Sequence, residues 1–384
     1  MDFNFTREQD MLRNMVRDFA QKELAPRIPE FDQTEGEWPY DVMKRMGQLG
    51  LTGLAIPKEF GGNGMGHVAL MIAWEEIARV YATWASHLRG FVLPAYAISH
   101  FGPAWAQKEI VPRVCKGEIQ GLMSLTEDTG GSDLANIRTT CVADGDHYIV
   151  NGRKIMQSRY SVSDFYTVIA KAGEKSFNYL LITKDMPGVQ IGRRENYISC
   201  TTRTALVGEV IYDNVRVPKR NIIGEEGKGF KPVLTTVGAI GRLGGAGISL
   251  GIAESAFDLA LKYAKNRKLY GKPIAELQAI RWLLVDMHTK VEAAKYFNYQ
   301  PSWALDNGKK PHEIAGDLAR AKLFANETAL DVCLKSIEIH GGYGTTPEFG
   351  VIQKMKGALD QMTAAGSNQV MKRAMSEAII GTSA

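Results

Sequence analysis

One change of hydrophobic period constrains this chain more than any other feature. Between Thr139 and Val217 short β-prone runs alternate with tight-turn signals: TTCVADGDHYIVNGRKIMQS carries Asp144-Gly145 and Asn151-Gly152, and Pro187-Gly188 follows. With FYTVIAKA, FNYLLIT, VQIG and LVGEVIYDNVRV, these runs make roughly seven strands of an antiparallel meander, a compact barrel or sandwich. On both sides the apolar residues recur at helical spacing. Met11, Leu12, Met15, Val16 and Phe19 follow a capping box of Thr6 and Gln9, and Pro26 is expected to end that run. Past the turn GEEGKGF, helical patterns cover Val237–Arg267, Ile274–Tyr299, Pro311–His340 and a short stretch from Ser367. The fold class is therefore mainly α with a central β domain. A helical domain takes residues 1–118, a β-barrel domain 119–230 and a helical-bundle domain 231–384.

The charge pattern narrows the function. The 384 residues carry 46 basic and 42 acidic side chains, a formal net charge of +4 with no block of one sign. A nucleic-acid binder concentrates its basic residues on one stripe or arm, so that class is set aside. Cys115, Cys141, Cys200 and Cys333 form no CxxC or His-rich cluster, which argues against a disulfide scaffold and a metal site. The start lacks a basic and then apolar leader, and Arg242 and Glu254 interrupt the apolar run after Thr236. A cytoplasmic protein without membrane insertion is expected. Gly241, Gly244, Gly245, Gly247 and Gly251 lie inside a helical pattern, where each costs about 1 kcal/mol. They imply close approach of another helix or of a ligand.

HExxH, Walker A, GxSxG and EF-hand patterns are absent. Gly224–Gly229 lacks the strand–turn–helix context of a dinucleotide fold and reads as a hinge. Four segments are more informative: LTEDTGGSDLANIRTT at 125–140, NRKLYGKPIAELQAI at 266–280, EIHGGYGTTPEFG at 338–350 and AAGSNQVMKR at 364–373. Glycine turns beside helix starts favour phosphate and carbonyl oxygens.

Together and in order, these segments resemble the acyl-CoA dehydrogenase family over essentially the whole chain. The family's T-E-P-x-x-G-S-D corresponds to Thr126–Asp133, and R-x-x-F-G-K-x-[IL]-x-x-x-Q to Arg267–Lys272 with Ile274 and Gln278. Q-x-x-G-G-x-G corresponds to Glu338–Gly344. The resemblance implies a helical bundle, an antiparallel β-barrel and a four-helix bundle, with FAD held at a subunit interface. Thr126 and Ser158 face the isoalloxazine, and Met156 stands where the family stacks a tryptophan. Arg267, Tyr270 and Gln278 serve the pyrophosphate and adenine side, completed by Glu338, Gly341, Gly342, Ser367 and Gln369. Ser132 and Arg242 serve the CoA thioester. A homotetramer (less often a dimer) and electron-transfer flavoprotein as partner are implied too.

The family reaction takes a proton from the carbon alpha to the thioester and a hydride from the beta carbon, and it needs a positioned carboxylate. That base stands just before the glycine of the last motif, here Ala365, or one residue before the arginine of the long helix, here Gly241. Both positions lack a carboxylate. Ala364 replaces an aromatic residue, so Ala364, Ala365 and Gly366 leave a wide acyl pocket suited to a cyclic, branched or carboxylated group. Arg89 falls where the family lines the pocket with apolar or small residues, and it is a candidate to pair with a substrate acid group. His87 nearby is weighed as structural against catalytic. Three readings stay open. The base has moved, with Glu338, Asp360, His87 and Tyr96 as candidates, and oxidation of another carbon pair is included. No base is needed, because the substrate loses carbon dioxide or sulfinate held by Arg89. Or the chain is a non-catalytic flavin and CoA-thioester binder, against which the retained FAD motifs stand. Of the other acids, at least one of Glu75 and Glu76 is expected to be solvated, and Glu127 reads as structural.

Overall fold

The computed structural model describes residues 4–33, 37–196, 204 and 206–381. Helix α1 (Arg7–Phe19) begins with the expected capping box. The Thr6 side chain accepts from the Gln9 amide at 3.2 Å, and the Gln9 side chain accepts from the Thr6 amide at 3.0 Å. Pro26 does not end the helical path. It sits in the first turn of a 3-10 segment, Ala25–Arg27, where a missing N–H costs little, and α2 (Ile28–Phe31) follows. Helices α3 (Tyr40–Gln48), α4 (Gly66–Val80), α5 (Ala82–Phe101), α6 (Ala104–Glu109) and α7 (Val111–Cys115) complete the first third.

The chain then forms one seven-stranded sheet: β1 (Gly121–Ser124), β2 (Thr140–Asp144), β3 (His147–Ser158), β4 (Phe165–Gly173), β5 (Ser176–Thr183), β6 (Val189–Arg194) and β7 (Val207–Pro218). Its order is β1-β4-β2-β3-β7-β6, with β5 on β4. The Asp144-Gly145 signal falls at the β2–β3 hairpin, whereas Asn151-Gly152, expected as a turn, lies inside β3 beside a register shift and is no turn. Pro187-Gly188 connects β5 to β6, which do not pair, and the antiparallel pair β4–β5 closes between Gly173 and Ser176, outside the turn signals. Two pairings run parallel, β1–β4 and the single contact of β2 with β4, because their connections are too long for a hairpin to set their direction. Tyr148, Val150, Tyr166, Val168, Leu180, Val210 and Tyr212 build the core of this sheet. Register shifts interrupt the β3–β7 ladder between Val150 and Gly152 and between Lys154 and Gln157. The second holds Met156 at φ 55°, a bulge that leaves its side chain exposed.

Beyond the sheet come α8 (Phe230–Thr236), a π-helical turn Val237–Arg242, and α9 (Leu243–Asn266). A small hairpin of β8 (Lys268–Leu269) and β9 (Lys272–Pro273) precedes α10 (Gln278–Asp306), α11 (Ala315–His340), α12 (Val351–Thr363) and α13 (Asn368–Ile380). Helix α12 is absent from the sequence expectations. The stretch Phe230–Asn266 is long and apolar enough to cross a membrane, but most of it is buried, as in a core helix.

By internal packing the chain divides into two compact units. One comprises Met1–Ile28, His67–Ser86 and Arg242–Ala384, the other Pro29–Gly66 and His87–Gly241. In the first, packing against another helix accounts for two of the helical glycines. A Cβ on Gly247 would meet the Met71 sulfur at 2.8 Å, and one on Gly251 would collide with the Glu75 carbonyl of α4. Both Glu75 and Glu76 are buried, which corrects the expectation that one is solvated. Arg13 and Arg17 of α1 reach Glu76, and the Tyr299 hydroxyl of α10 donates to Glu75 at 2.5 Å. Cys115, Cys141 and Cys333 are buried free thiols, and Cys200 lies outside the described residues.

Candidate active site

In the sheet-bearing unit the motif from Thr126 is held by one buried ion pair. Glu127 accepts from the amides of Arg138 at 2.6 Å and Thr139 at 3.1 Å, and Lys154 Nζ lies 2.8 Å from its Oε1. Lys154 is fully buried and donates also to the Leu125 carbonyl at 2.9 Å. Burial pushes the Glu127 carboxyl up, but Lys154 and the amide donors outweigh it and hold it below its ordinary value. Burial lowers Lys154 to about 8, so the pair is charged at neutral pH. The Ile155 amide donates to the Thr126 carbonyl at 2.9 Å, which fixes the motif beside the Met156 bulge. Ser132, Met156 and Ser158 are exposed and Thr126 half-buried, so these four side chains present hydroxyl and thioether atoms at the unit's surface.

The same unit holds His87, Arg89 and Tyr96 on α5, all buried. Tyr96 stacks on His100 with ring centroids 3.9 Å apart. His87 packs edge-on to Trp38 at 4.8 Å. Burial, then the charges of Arg159 and Arg89, hold its imidazole well below its ordinary pKa, and so neutral. Arg159 was not among the candidates from sequence. It follows β3 at φ 61° and is fully buried, with no sequence signal beyond a lone cation at a strand end.

In the helical unit the segment Ala364–Ser367 links α12 to α13. Lys322 of α11, another residue missed from sequence, donates to the carbonyls of Met362 at 3.3 Å and Gly366 at 2.9 Å and to Asn368 Oδ1 at 3.0 Å. Ala365 is left-handed, φ 54°, and half-buried. Ser367 caps α13, accepting from the Val370 amide at 3.3 Å. Asp360 lies at the end of α12, where its carboxylate accepts from Gln361 at 2.8 Å and its carbonyl accepts from the Ala364 amide at 3.3 Å. Arg242 is lowered by burial and supported by the charge of Glu377.

A cavity of about 530 Å³ in the same unit is lined by Arg267, Leu277, Glu338, Gly341, Gly342 and Tyr343, among others. A Cβ placed on Gly341 or Gly342 meets nothing within 4 Å, so the backbone there stands open toward a ligand. A guanidinium, bare glycine backbone and apolar walls suit a pyrophosphate joined to a planar ring, so the residues present fit the nucleotide end of FAD. Glu338 belongs to this cavity. Tyr270, Gln278 and Gln369 are exposed and do not line it. Among the described residues no group of three or more His, Cys, Asp or Glu gathers as a metal site.

Family models for the acyl-CoA dehydrogenase N-terminal, middle and C-terminal domains match residues 6–118, 123–215 and 227–380. The chain is 36% identical to a short-chain specific acyl-CoA dehydrogenase of Clostridium acetobutylicum, covering 98% of this chain and 99% of that one. It is 34% identical to a subunit of the caffeyl-CoA reductase-Etf complex of Acetobacterium woodii, covering 97% and 98%. The solved glutaryl-coenzyme A dehydrogenase glutaryl-CoA complex superposes with a TM-score of 0.94 at 31% identity, covering 99% and 97%. The open glycine cradle, the order of the motifs and these whole-length matches agree: the chain belongs to the acyl-CoA dehydrogenase family of flavin-dependent oxidoreductases.

Proposed function

We propose that this protein is an FAD-dependent dehydrogenase for a carboxylated acyl-CoA, with its base moved from the two usual positions. The observation that carries the reading is a buried guanidinium, Arg89, on the helix where the family resemblance puts the acyl pocket. A guanidinium there offers a planar fork of donors that fits the two oxygens of a substrate carboxylate or sulfinate. Arg267, Gly341 and Gly342 would hold the nucleotide end of FAD, with Thr126, Met156 and Ser158 toward its ring. Bound FAD supplies the two-electron acceptor for the hydrogen leaving the beta carbon. Removal of the alpha proton falls to a group of this chain. Asp360 is the first candidate, because it is a carboxylate joined to the Ala364 turn through its own carbonyl.

Absence of a carboxylate at both Ala365 and Gly241 favours a second reading without a base. There a carbon–carboxyl or carbon–sulfinyl bond breaks where the carbon–hydrogen bond otherwise would, and its electron pair stays on the carbon. The Etf-complex relative supports electron-transfer flavoprotein as the electron acceptor. Exposed Trp282, Val285, Tyr296 and Trp303 along α10 support a homo-oligomer, a tetramer by family.

The test is an anaerobic titration of the flavin-loaded protein with straight-chain, cyclic and carboxylated acyl-CoAs, following flavin bleaching and product mass. Bleaching by a carboxylated thioester with loss of two hydrogens supports the dehydrogenase, and Asp360→Asn should then abolish it. Release of carbon dioxide or sulfite establishes the second reading. Bleaching by straight-chain thioesters alone refutes both.

A further inference from the structure

We infer, on the reading that the cavity beside Gly341 and Gly342 holds the nucleotide end of FAD, that His340 recognises the adenine ring, its Nε2 accepting a hydrogen bond from the 6-amino group. The residue adds a choice of base to the proposed use of FAD.

His340 ends α11, one residue before Gly341, and lines the cavity with Tyr263 of α9 and Tyr343. Only 4% of it is exposed. Two rings fix its plane. Tyr263 packs on it with centroids 4.3 Å apart and planes at 31°, and Phe349 meets it edge-on at 5.9 Å and 72°. Its Nδ1 lies 2.7 Å from the Ser336 carbonyl oxygen, one helical turn back. A carbonyl only accepts, so Nδ1 carries the ring proton, and Nε2 at the distal end of the ring carries the lone pair. Burial lowers the imidazole below its ordinary pKa, which keeps this tautomer neutral near pH 7.

The end of α11 thus holds a fixed acceptor among apolar neighbours that include Ile274, Leu277 and Ile280 on the same wall. A flat base suits such a slot, and a fixed acceptor favours a base that carries an amino donor. An analogue without that donor leaves the acceptor unsatisfied and binds less well. The hydroxyls of Tyr263, Tyr343 and Thr346 turn to either role and discriminate weakly. Glu338 is another acceptor on the wall, but it is exposed to solvent. Packing against Tyr263 and Phe349 asks only for a flat ring, which a phenylalanine would supply, whereas the acceptor is of use to a ligand.

The experiment uses the full-length chain stripped of flavin and follows the quenching of flavin fluorescence at equilibrium. The probes are FAD and flavin purine dinucleotide, which has hydrogen in place of the adenine amino group. The unaltered chain should bind FAD about tenfold more tightly than the purine analogue. His340→Phe keeps the flat ring and should bring that ratio to about one through loss of FAD affinity, the analogue binding no worse than before. His340→Gln, which returns an acceptor to the distal end, should recover part of the ratio. If the Phe variant does not fold, His340→Leu takes its place with the same expectation. A ratio that survives in the Phe or Leu variant, or equal losses for both dinucleotides, overturns the inference. Loss of the ratio in Glu338→Ala with the His340 variants unaffected overturns it too, because the acceptor is then Glu338. If the unaltered chain binds both dinucleotides alike, the inference fails and FAD stands as the cofactor. If it binds neither, FAD itself fails and the inference with it.

Discussion

The ammonium of Lys322 donates to the carbonyl oxygen of Gly366 at 2.9 Å, and this bond fixes the turn that carries Ala365. Met362 and Asn368 give Lys322 two more oxygens, and Asn368 bonds Asn326, which in turn donates to the Ala358 carbonyl. Helices α11, α12 and α13 are thereby tied through one buried cation. Lys322→Met leaves those acceptors without a donor, at about 2–3 kcal/mol, since an unsatisfied buried acceptor costs more than the bond contributes. The thermal midpoint should drop, and flavin-loaded protein should lose activity toward any accepted thioester. An unchanged midpoint would show that water replaces the ammonium without loss.

The Glu127–Lys154 pair makes a sharper case, because its lysine is fully buried. Glu127→Gln strands that ammonium in the sheet and should cost about 3–5 kcal/mol, the range for breaking one side of a buried pair. Adding Lys154→Met should restore much of the loss, because the uncompensated charge is gone. Thermal midpoints of the two single variants and the double variant test this. Strictly additive losses would mean that the pair is not coupled.

Ala365 already carries its Cβ at φ 54°, so Ala365→Glu adds no new kind of backbone strain to the turn. If this is the family's base position, the new carboxylate should create α,β-oxidation of a straight-chain acyl-CoA. The readout is flavin bleaching by butyryl-CoA with a product two hydrogens lighter. A variant that keeps its flavin but does not bleach would falsify the assignment of the position.

Much of the frame is legible in the sequence because it depends on local signals. The Thr6–Gln9 capping box, the Asp144-Gly145 turn between β2 and β3 and the glycines at 341 and 342 each act on their own backbone. What escapes is carried by distant partners. Lys154, Arg159 and Lys322 look like solvated cations, yet their oxygens come from residues 125, 121 and 366. Adjacent Glu75 and Glu76 point about 100° apart on a helix, which predicts one in solvent. Both are buried because α1 and α10 bring Arg13, Arg17 and Tyr299 to them from elsewhere in the chain. Helix α12 escapes for a related reason. It is entered through Gly350 in the left-handed region at φ 71°, without a side-chain cap to announce it.

Burial, reinforced by Glu254, pushes Glu75 up to about 7, although Arg13, Lys295 and Tyr299 act in the opposite direction. In the unfolded chain this carboxyl titrates near its ordinary 4.5. Between those values the folded protein holds a proton that the unfolded chain has released, so Glu75 makes stability fall as pH rises through that window. Above the folded value the loss is complete, and below the unfolded value there is none. Glu75→Gln removes this dependence, because the amide is neutral throughout and can still accept from Tyr299. The midpoint difference, variant minus parent, should therefore climb between about pH 5 and pH 8 and flatten beyond. A difference that shrinks over the same range would mean Arg13 keeps Glu75 ionised in the folded state, with its pKa below rather than above the ordinary value.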